Sequence, residues 1–138
     1  MRRILAAYDG SQPAEDALNF AVDLARHYGA ELHVLAVSRP PEFAEDVEAE
    51  AVIEHSRRYF GRLLDAVRTR LAAESVPVTC ELVVGHPAEQ IVVYGEKHAV
   101  DHIVVGYRGR TRFERWLLGS VARRVIAYAH CAVTVVRK

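Results

Sequence analysis

Short runs of β-branched and aliphatic residues alternate along the chain with longer segments in which apolar residues recur every three or four positions. The short runs predict strands, and the longer period predicts amphipathic helices. Five strands are predicted, at Ile4–Tyr8, Leu32–Val37, Val78–Val84, His102–Val105 and Ala132–Val136. Four helices are predicted between them, at Pro13–Tyr28, Asp46–Ala73, Pro87 to about His98, and Ser120–Ala129.

This alternation predicts the architecture of the chain. Strands separated by helices of 10–20 residues indicate βαβ units, and therefore a mainly parallel five-stranded sheet with about four helices distributed over both faces. We see no repeat, low-complexity tract or linker, so residues 1–138 are predicted to form one α/β Rossmann-like domain. Ligands of such sheets bind outside the carboxyl ends of the strands, where the strand order reverses.

The first helix carries the clearest signals at its ends. Ser11 precedes it and can cap its amino terminus, and Pro13 suits its first turn. Gly29 follows its last apolar residue and can adopt the left-handed conformation that closes a helix.

Composition narrows the class of protein. The chain has 138 residues, 51% apolar and 26% charged, and its 18 basic residues balance 18 acidic ones. No net field therefore favours a nucleic-acid partner, and no apolar run reaches the ~20 residues of a membrane span. Cys80 and Cys131 lie in apolar runs that predict strands, and they are expected to be buried, reduced thiols. We expect a cytoplasmic protein without membrane insertion.

A glycine pattern follows the fourth strand. Gly106-Tyr107-Arg108-Gly109 comes directly after it, and Gly119-Ser120 opens the last helix, which gives G-x2-G-x9-G-S. Gly106 and Gly109 would allow close backbone approach and positive φ, and the Gly119-Ser120 helix start would offer unpaired amides to an anion. Three arginines in the loop add positive charge, and phosphate is the predicted guest: Arg108, Arg110 and Arg112. Ordinary loop and capping chemistry remains the alternative.

Asp9 ends the first strand. If the first and fourth strands are neighbours, its carboxylate would lie beside the glycine loop and could accept from a ribose hydroxyl or an adenine amine, or bind Mg²⁺ through water. The alternative is a turn aspartate before a helix. The scattered histidines do not predict a metal site.

Several of these segments together resemble the universal stress protein family, of the UspA type. They are Asp9-Gly10-Ser11, Gly85–Ala88, Ile103–Gly106, the glycine pattern and Cys131–Val136. The similarity covers essentially the whole chain, and the G-x2-G-x9-G-S signature is typical of the ATP-binding branch of that family. The resemblance implies an adenine nucleotide α-hydrolase-like fold.

The resemblance also implies the site. Ala7 and Asp9 would line the adenosine end, and the backbone of Val37 would hydrogen-bond the adenine. The ribose and phosphates would be held by two segments, Gly106, Tyr107, Arg108, Gly109, Arg110, Thr111 and Arg112, then Gly119, Ser120 and Val121. Ala122 departs from the family pattern, because many relatives carry a second hydroxyl residue there.

The function implied is that of an ATP-binding regulator in stress response, with ATP, or AMP or ADP, and Mg²⁺ as ligands and a protein partner not identified by the sequence. The family pairs its last strand across a two-fold axis, so a homodimer through Val133–Val136 is expected; the basic terminus Arg137-Lys138 could instead protect this edge. The sequence offers no evident general base for phosphoryl transfer. A slow ATPase or phosphotransferase and an ATP-independent interaction protein remain the alternatives.

Overall fold

The computed structural model describes residues 1–40, 46–108 and 118–137, with the side chains of 46–49 excluded. Within these ranges nine elements alternate along the chain, as the apolar pattern predicts. They are β1 Arg3–Ala7, α1 Gln12–Tyr28, β2 Glu31–Ser38, α2 Asp46–Leu71, β3 Val78–Val84, α3 Pro87–Lys97, β4 His102–Gly106, α4 Ser120–Tyr128 and β5 Ala132–Val136. Most boundaries lie within two residues of the predicted ones, which is the ordinary uncertainty of helix and strand ends.

The five strands form one sheet in the order β3-β2-β1-β4-β5, and every pairing is parallel. The chain builds outward from β1 in one direction, through β2 to β3, and then crosses to build β4 and β5 on the other side. The strand order therefore reverses between β1 and β4. This α/β Rossmann-like architecture confirms the predicted fold class.

Two apolar cores cover the two faces of the sheet. Helices α1 and α2 pack on one face, where Leu18, Leu64 and Val34 are buried together. Helices α3 and α4 pack on the other face, where Ile91 and Val125 are buried in the second core. Because a parallel sheet is hydrophobic on both faces, each face needs its own layer of helices.

The predicted ends of α1 are confirmed. The Ser11 hydroxyl accepts a hydrogen bond from the Ala14 N–H, and Gly29 adopts φ 63°, ψ 36° while its N–H donates to the Ala25 carbonyl. Both cysteines are free, as expected, but only Cys80 is buried and Cys131 is partly exposed. Across the described ranges, no helix combines the length and apolar character needed to cross a membrane.

Candidate functional site

A cleft lies at the carboxyl edge of the sheet, at the point where the strand order reverses. Strands β1 and β4 are hydrogen-bonded neighbours, as the Asp9 prediction requires. The segment after β1 turns to one face and α4 follows on the other, so the edge between them stays open. The cleft has a volume of about 900 Å³, within the range of small-molecule sites.

The described part of the chain brings most of the predicted site residues to this cleft. The predicted residues that line it are Ala7, Asp9, Val37, Gly106, Arg108, Gly119, Ser120 and Val121. Four others, Gly109, Arg110, Thr111 and Arg112, lie outside the described residues. Tyr107 is described and does not line the cleft.

Val37 presents an open peptide edge to the cleft. The Leu35 carbonyl accepts a hydrogen bond of 2.9 Å from the Tyr8 N–H, so this side of β2 faces β1. In a strand, the peptide groups of residues two apart point to the same side. The N–H and C=O of Val37 therefore also face β1, but β1 ends at Ala7. Within the described ranges, one donor and one acceptor are thus left side by side at the cleft wall.

Asp9 is the turn aspartate of the alternative interpretation, and it also lines the cleft. Its Oδ1 accepts hydrogen bonds from the Ser11 N–H at 3.0 Å and from the Ser11 hydroxyl at 2.5 Å. This turn sets the start of α1. Oδ2 receives no hydrogen bond from the described residues, so one carboxylate oxygen is available at the cleft wall.

Gly106 has a structural role that the sequence did not reveal. The expected positive φ is wrong at this position, because the described glycines with positive φ are Gly10, Gly29 and Gly85. A Cβ on Gly106 would lie 2.7 Å from the carbonyl oxygen of Pro13. The close approach that requires glycine here is therefore made to the first turn of α1.

The start of α4 offers three backbone donors rather than four. Gly119 is the N-cap residue, and its own N–H donates to the Tyr107 carbonyl at 2.9 Å. The expectation of an unpaired amide at Gly119 is thus wrong. The Arg123 N–H makes the next bond, to the Gly119 carbonyl at 3.0 Å. The N–H groups of the three residues between them have no intrahelical acceptor, and they lie at the positive end of the helix dipole: Ser120, Val121 and Ala122.

Tyr107 connects β5 to the start of α4. Its N–H donates to the Val136 carbonyl at 2.9 Å, while its carbonyl accepts from Gly119. Its ring lies under the guanidinium of Arg137, with 4.3 Å from Cζ to the ring centroid. The side chain is thereby held on the β5 side of the loop.

Helix α2 supplies a wall of the cleft that motif reasoning missed. Ser56 and Phe60 of α2 line the cleft opposite Ile91 of α3. Phe60 is 5% exposed and belongs to the core, so its apolar spacing was visible in the sequence but its place beside the cleft was not. No local sequence pattern distinguishes a core residue that lines a cleft from one that does not.

Tyr8, also missed, is fixed by a polar network. Its hydroxyl donates to the Glu15 carboxylate, and the other carboxylate oxygen lies 2.9 Å from Nη1 of Arg70. Burial, followed by the hydrogen bond to Glu15, raises the pKa of the Tyr8 hydroxyl. Tyr8 therefore stays neutral, and its hydroxyl is hydrogen-bonded to Glu15 beside the cleft.

A narrow polar crevice adjoins the cleft. Arg39, His86, Ser120 and Arg124 line it together with the first turn of α3. His86, which precedes α3, therefore lies at the margin of the cleft. Among the described residues, no three His, Cys, Asp or Glu side chains are grouped to hold a metal ion.

Comparisons with known proteins agree with this architecture. The model of the universal stress protein family matches residues 1–137. Universal stress protein MJ0531 of Methanocaldococcus jannaschii is 34% identical over 144 residues, which cover 99% of this chain and 82% of that protein.

Solved structures give the same result. Universal stress protein UspA from Lactobacillus plantarum superposes with a TM-score of 0.88 at 27% identity, covering 99% of this chain and 97% of that one. The universal stress protein from Archaeoglobus fulgidus in complex with dAMP shares the fold, with a TM-score of 0.66, 24% identity and coverage of 99% and 98%. The chain belongs to the universal stress protein family.

Proposed function

We propose that this chain binds ATP in the cleft at the carboxyl edge of the sheet and acts as a nucleotide-dependent regulator in the stress response. One observation carries the proposal: among the described residues, the cleft has a peptide edge at Val37 and three amides at the start of α4 that are without a hydrogen-bond partner. The peptide edge at Val37 suits a nucleotide base, and the amides at the start of α4 suit a phosphate. The A. fulgidus protein was solved with dAMP, but at that identity it supports the fold alone.

The Val37 edge favours adenine over guanine. Adenine presents an amino donor at C6 and an acceptor at N1, which match the C=O and N–H of one extended residue. Guanine presents an acceptor at C6 and a donor at N1. Its O6 would therefore face the Val37 carbonyl oxygen, and its N1–H would face the Val37 N–H. A mismatch of this kind leaves buried polar groups unpaired.

The phosphates are proposed to lie at the start of α4. Ser120 contributes a hydroxyl as well as an amide, and Arg108 and Arg123 also line the cleft. The only carboxylate among the described lining residues is Asp9, so Mg²⁺ would be held mainly by the phosphates, with Oδ2 of Asp9 as a water-mediated partner. Mg²⁺ would supply charge neutralisation there.

We further propose a homodimer formed through β5. This strand lies at the edge of the sheet, paired on one side with β4. An unpaired apolar edge is a template for a second strand. We place the protein in the cytoplasm, where ATP is available and where the free thiols of Cys80 and Cys131 would stay reduced. The regulated protein is not identified by any of these features.

Isothermal titration of the full chain with Mg-ATP, Mg-GTP and adenosine tests the proposal. We expect saturable binding of Mg-ATP, weaker binding of Mg-GTP, and binding of adenosine that lacks the phosphate contribution. Mass spectrometry of ligand retained by the purified protein gives an independent measurement, and assay of ADP release in the same samples separates binding from hydrolysis. A folded protein that takes up no millimolar Mg-ATP would refute the proposal.

A further inference from the structure

Two serines join α2 to the sheet beside the Val37 edge. Ser38, the last residue of β2, is 1% exposed, and it is the buried polar residue of the described core. Its Oγ lies 2.6 Å from Oγ of Ser56 on α2. Ser56 is partly exposed and lines the cleft. The buried hydroxyl of Ser38, one residue after Val37 on β2, therefore holds the hydroxyl of Ser56 at the cleft wall.

Either hydroxyl can donate in this hydrogen bond, and the burial of Ser38 favours one direction. Only one hydroxyl proton can lie between the two oxygens. If Ser56 donated, the proton of Ser38 would be enclosed with no acceptor among the described residues, which is unfavourable for a buried donor. Donation from Ser38 to Ser56 avoids this. The Ser56 proton is then left to be donated to an acceptor in the cleft.

We propose that Ser56 is a specificity-determining residue that donates to a ring nitrogen of a bound purine, and that Ser38 is its positioning residue. This inference rests on the proposed nucleotide binding and adds to it. Val37 would read the N1 and amino edge of the base, and Ser56 would read the imidazole or N3 side. Purines carry the acceptors N3 and N7 there, so the contact would recognise the base at a second point besides the Val37 edge.

Isothermal titrations with Mg-ATP, 3-deaza-ATP and 7-deaza-ATP test the inference. Each analogue replaces one ring nitrogen by CH and so removes one acceptor. For the wild type we expect one of the two analogues to bind about three- to tenfold more weakly than ATP, the effect of one neutral hydrogen bond. Ser56→Ala should bind ATP more weakly by the same factor and should no longer distinguish that analogue.

Two further variants separate reading of the base from positioning of α2. Ser56→Thr keeps the hydroxyl and should restore the discrimination. Ser38→Ala removes the anchor but leaves the cleft hydroxyl, so it should weaken all three nucleotides while some discrimination is kept. If Ser56→Ala and Ser38→Ala weakened all three nucleotides equally, or if the wild type did not distinguish the analogues, the inference would be refuted and ATP binding would stand. Absence of ATP binding by the folded wild type would overturn both.

Discussion

Gly106 at the end of β4 packs directly against Pro13 in the first turn of α1, so closely that a Cβ would lie 2.7 Å from the Pro13 carbonyl oxygen and 2.8 Å from its carbonyl carbon. Both neighbours are backbone atoms of a helix that is itself packed on the sheet. The first glycine of the loop signature therefore sets the spacing between β4 and α1. Gly106 also lines the cleft, so this packing fixes the position of one part of the cleft wall.

Gly106→Ala should destabilise the protein, because the helix backbone has to move to admit the methyl group. Overpacking of this kind costs about 1–3 kcal/mol of unfolding free energy. Chemical denaturation followed by circular dichroism measures it. Gly61→Ala is the matched control: this glycine lies within α2 and a Cβ there would meet nothing within 4 Å, so the change should stabilise by about 0.5–1 kcal/mol. Equal unfolding free energies for Gly106→Ala and the wild type would show that α1 moves at no cost, and would contradict this prediction.

Ser120→Pro should weaken ATP binding without loss of stability. Proline is favourable in the first turn of a helix, and Gly119 before it is already extended, at φ −61° and ψ 154°. The change removes one hydroxyl and one of the three free amides. Charge-assisted hydrogen bonds of this kind correspond to about ten- to a hundredfold in affinity.

Ser120→Ala, which removes the hydroxyl alone, is the control for this variant. Titration with ATP should rank the wild type first, Ser120→Ala second and Ser120→Pro third, with adenosine affinity unchanged throughout. Equal affinities of Ser120→Pro and Ser120→Ala for ATP would place the phosphates elsewhere.

Stability should fall as the pH is lowered below about 6.5. Burial, then the neighbouring His98, lowers the pKa of His33 below its ordinary value of 6.5, against the opposing effects of Glu31 and Glu81. The Nδ1 of His33 lies 2.7 Å from the Tyr94 hydroxyl. As the pH falls, the unfolded chain binds the proton of His33 at a higher pH than the folded chain does. The contribution of His33 to the free energy of unfolding is therefore complete above pH 6.5 and is lost progressively below it.

Urea unfolding between pH 5 and 8 measures this dependence. His33→Gln should reduce the slope of unfolding free energy against pH. Burial also lowers the pKa of His102, so a smaller slope of the same sign should remain in His33→Gln. An unchanged slope in His33→Gln would show that His33 does not cause the pH dependence of stability.

Val135→Pro should convert the proposed dimer to a monomer. The Val136 carbonyl faces β4, where it accepts from Tyr107, so the peptide groups of Val135 face the open edge. Proline at that position removes an outward N–H and is tolerated at a sheet edge. Multi-angle light scattering at micromolar concentration measures the mass. A wild type that is already monomeric would refute the dimer.

The sequence predicts the element order, the class of sheet and the ends of α1 because these depend on local periodicity and on capping residues such as Ser11 and Gly29. It places Asp9 at the carboxyl edge of the sheet because the carboxyl ends of parallel strands share one side of a sheet. The place of Val37 at that edge is implied by the resemblance to the family. It does not predict the contact of Gly106 with Pro13 or of Ser38 with Ser56. Those contacts depend on how separate elements pack, and no local pattern encodes them.

Tyr107 shows the same limit within a motif. Its place in the glycine loop implied a ligand contact, yet its backbone bridges Val136 and Gly119 and its ring lies against Arg137. The motif gives the position of the loop but not the direction of each side chain. Tertiary partners decide that direction, and here they come from the other end of the chain.

The crystal structure of the full chain with Mg-ATP is the most direct test of the proposed binding of adenine at Val37 and of phosphate at the start of α4. We predict that the adenine amino group and N1 lie within hydrogen-bond distance of the Val37 C=O and N–H, and that a phosphate lies on the amides of Ser120, Val121 and Ala122. Nucleotide bound with its base away from Val37, or a cleft filled by the protein's own side chains at millimolar Mg-ATP, would contradict this prediction.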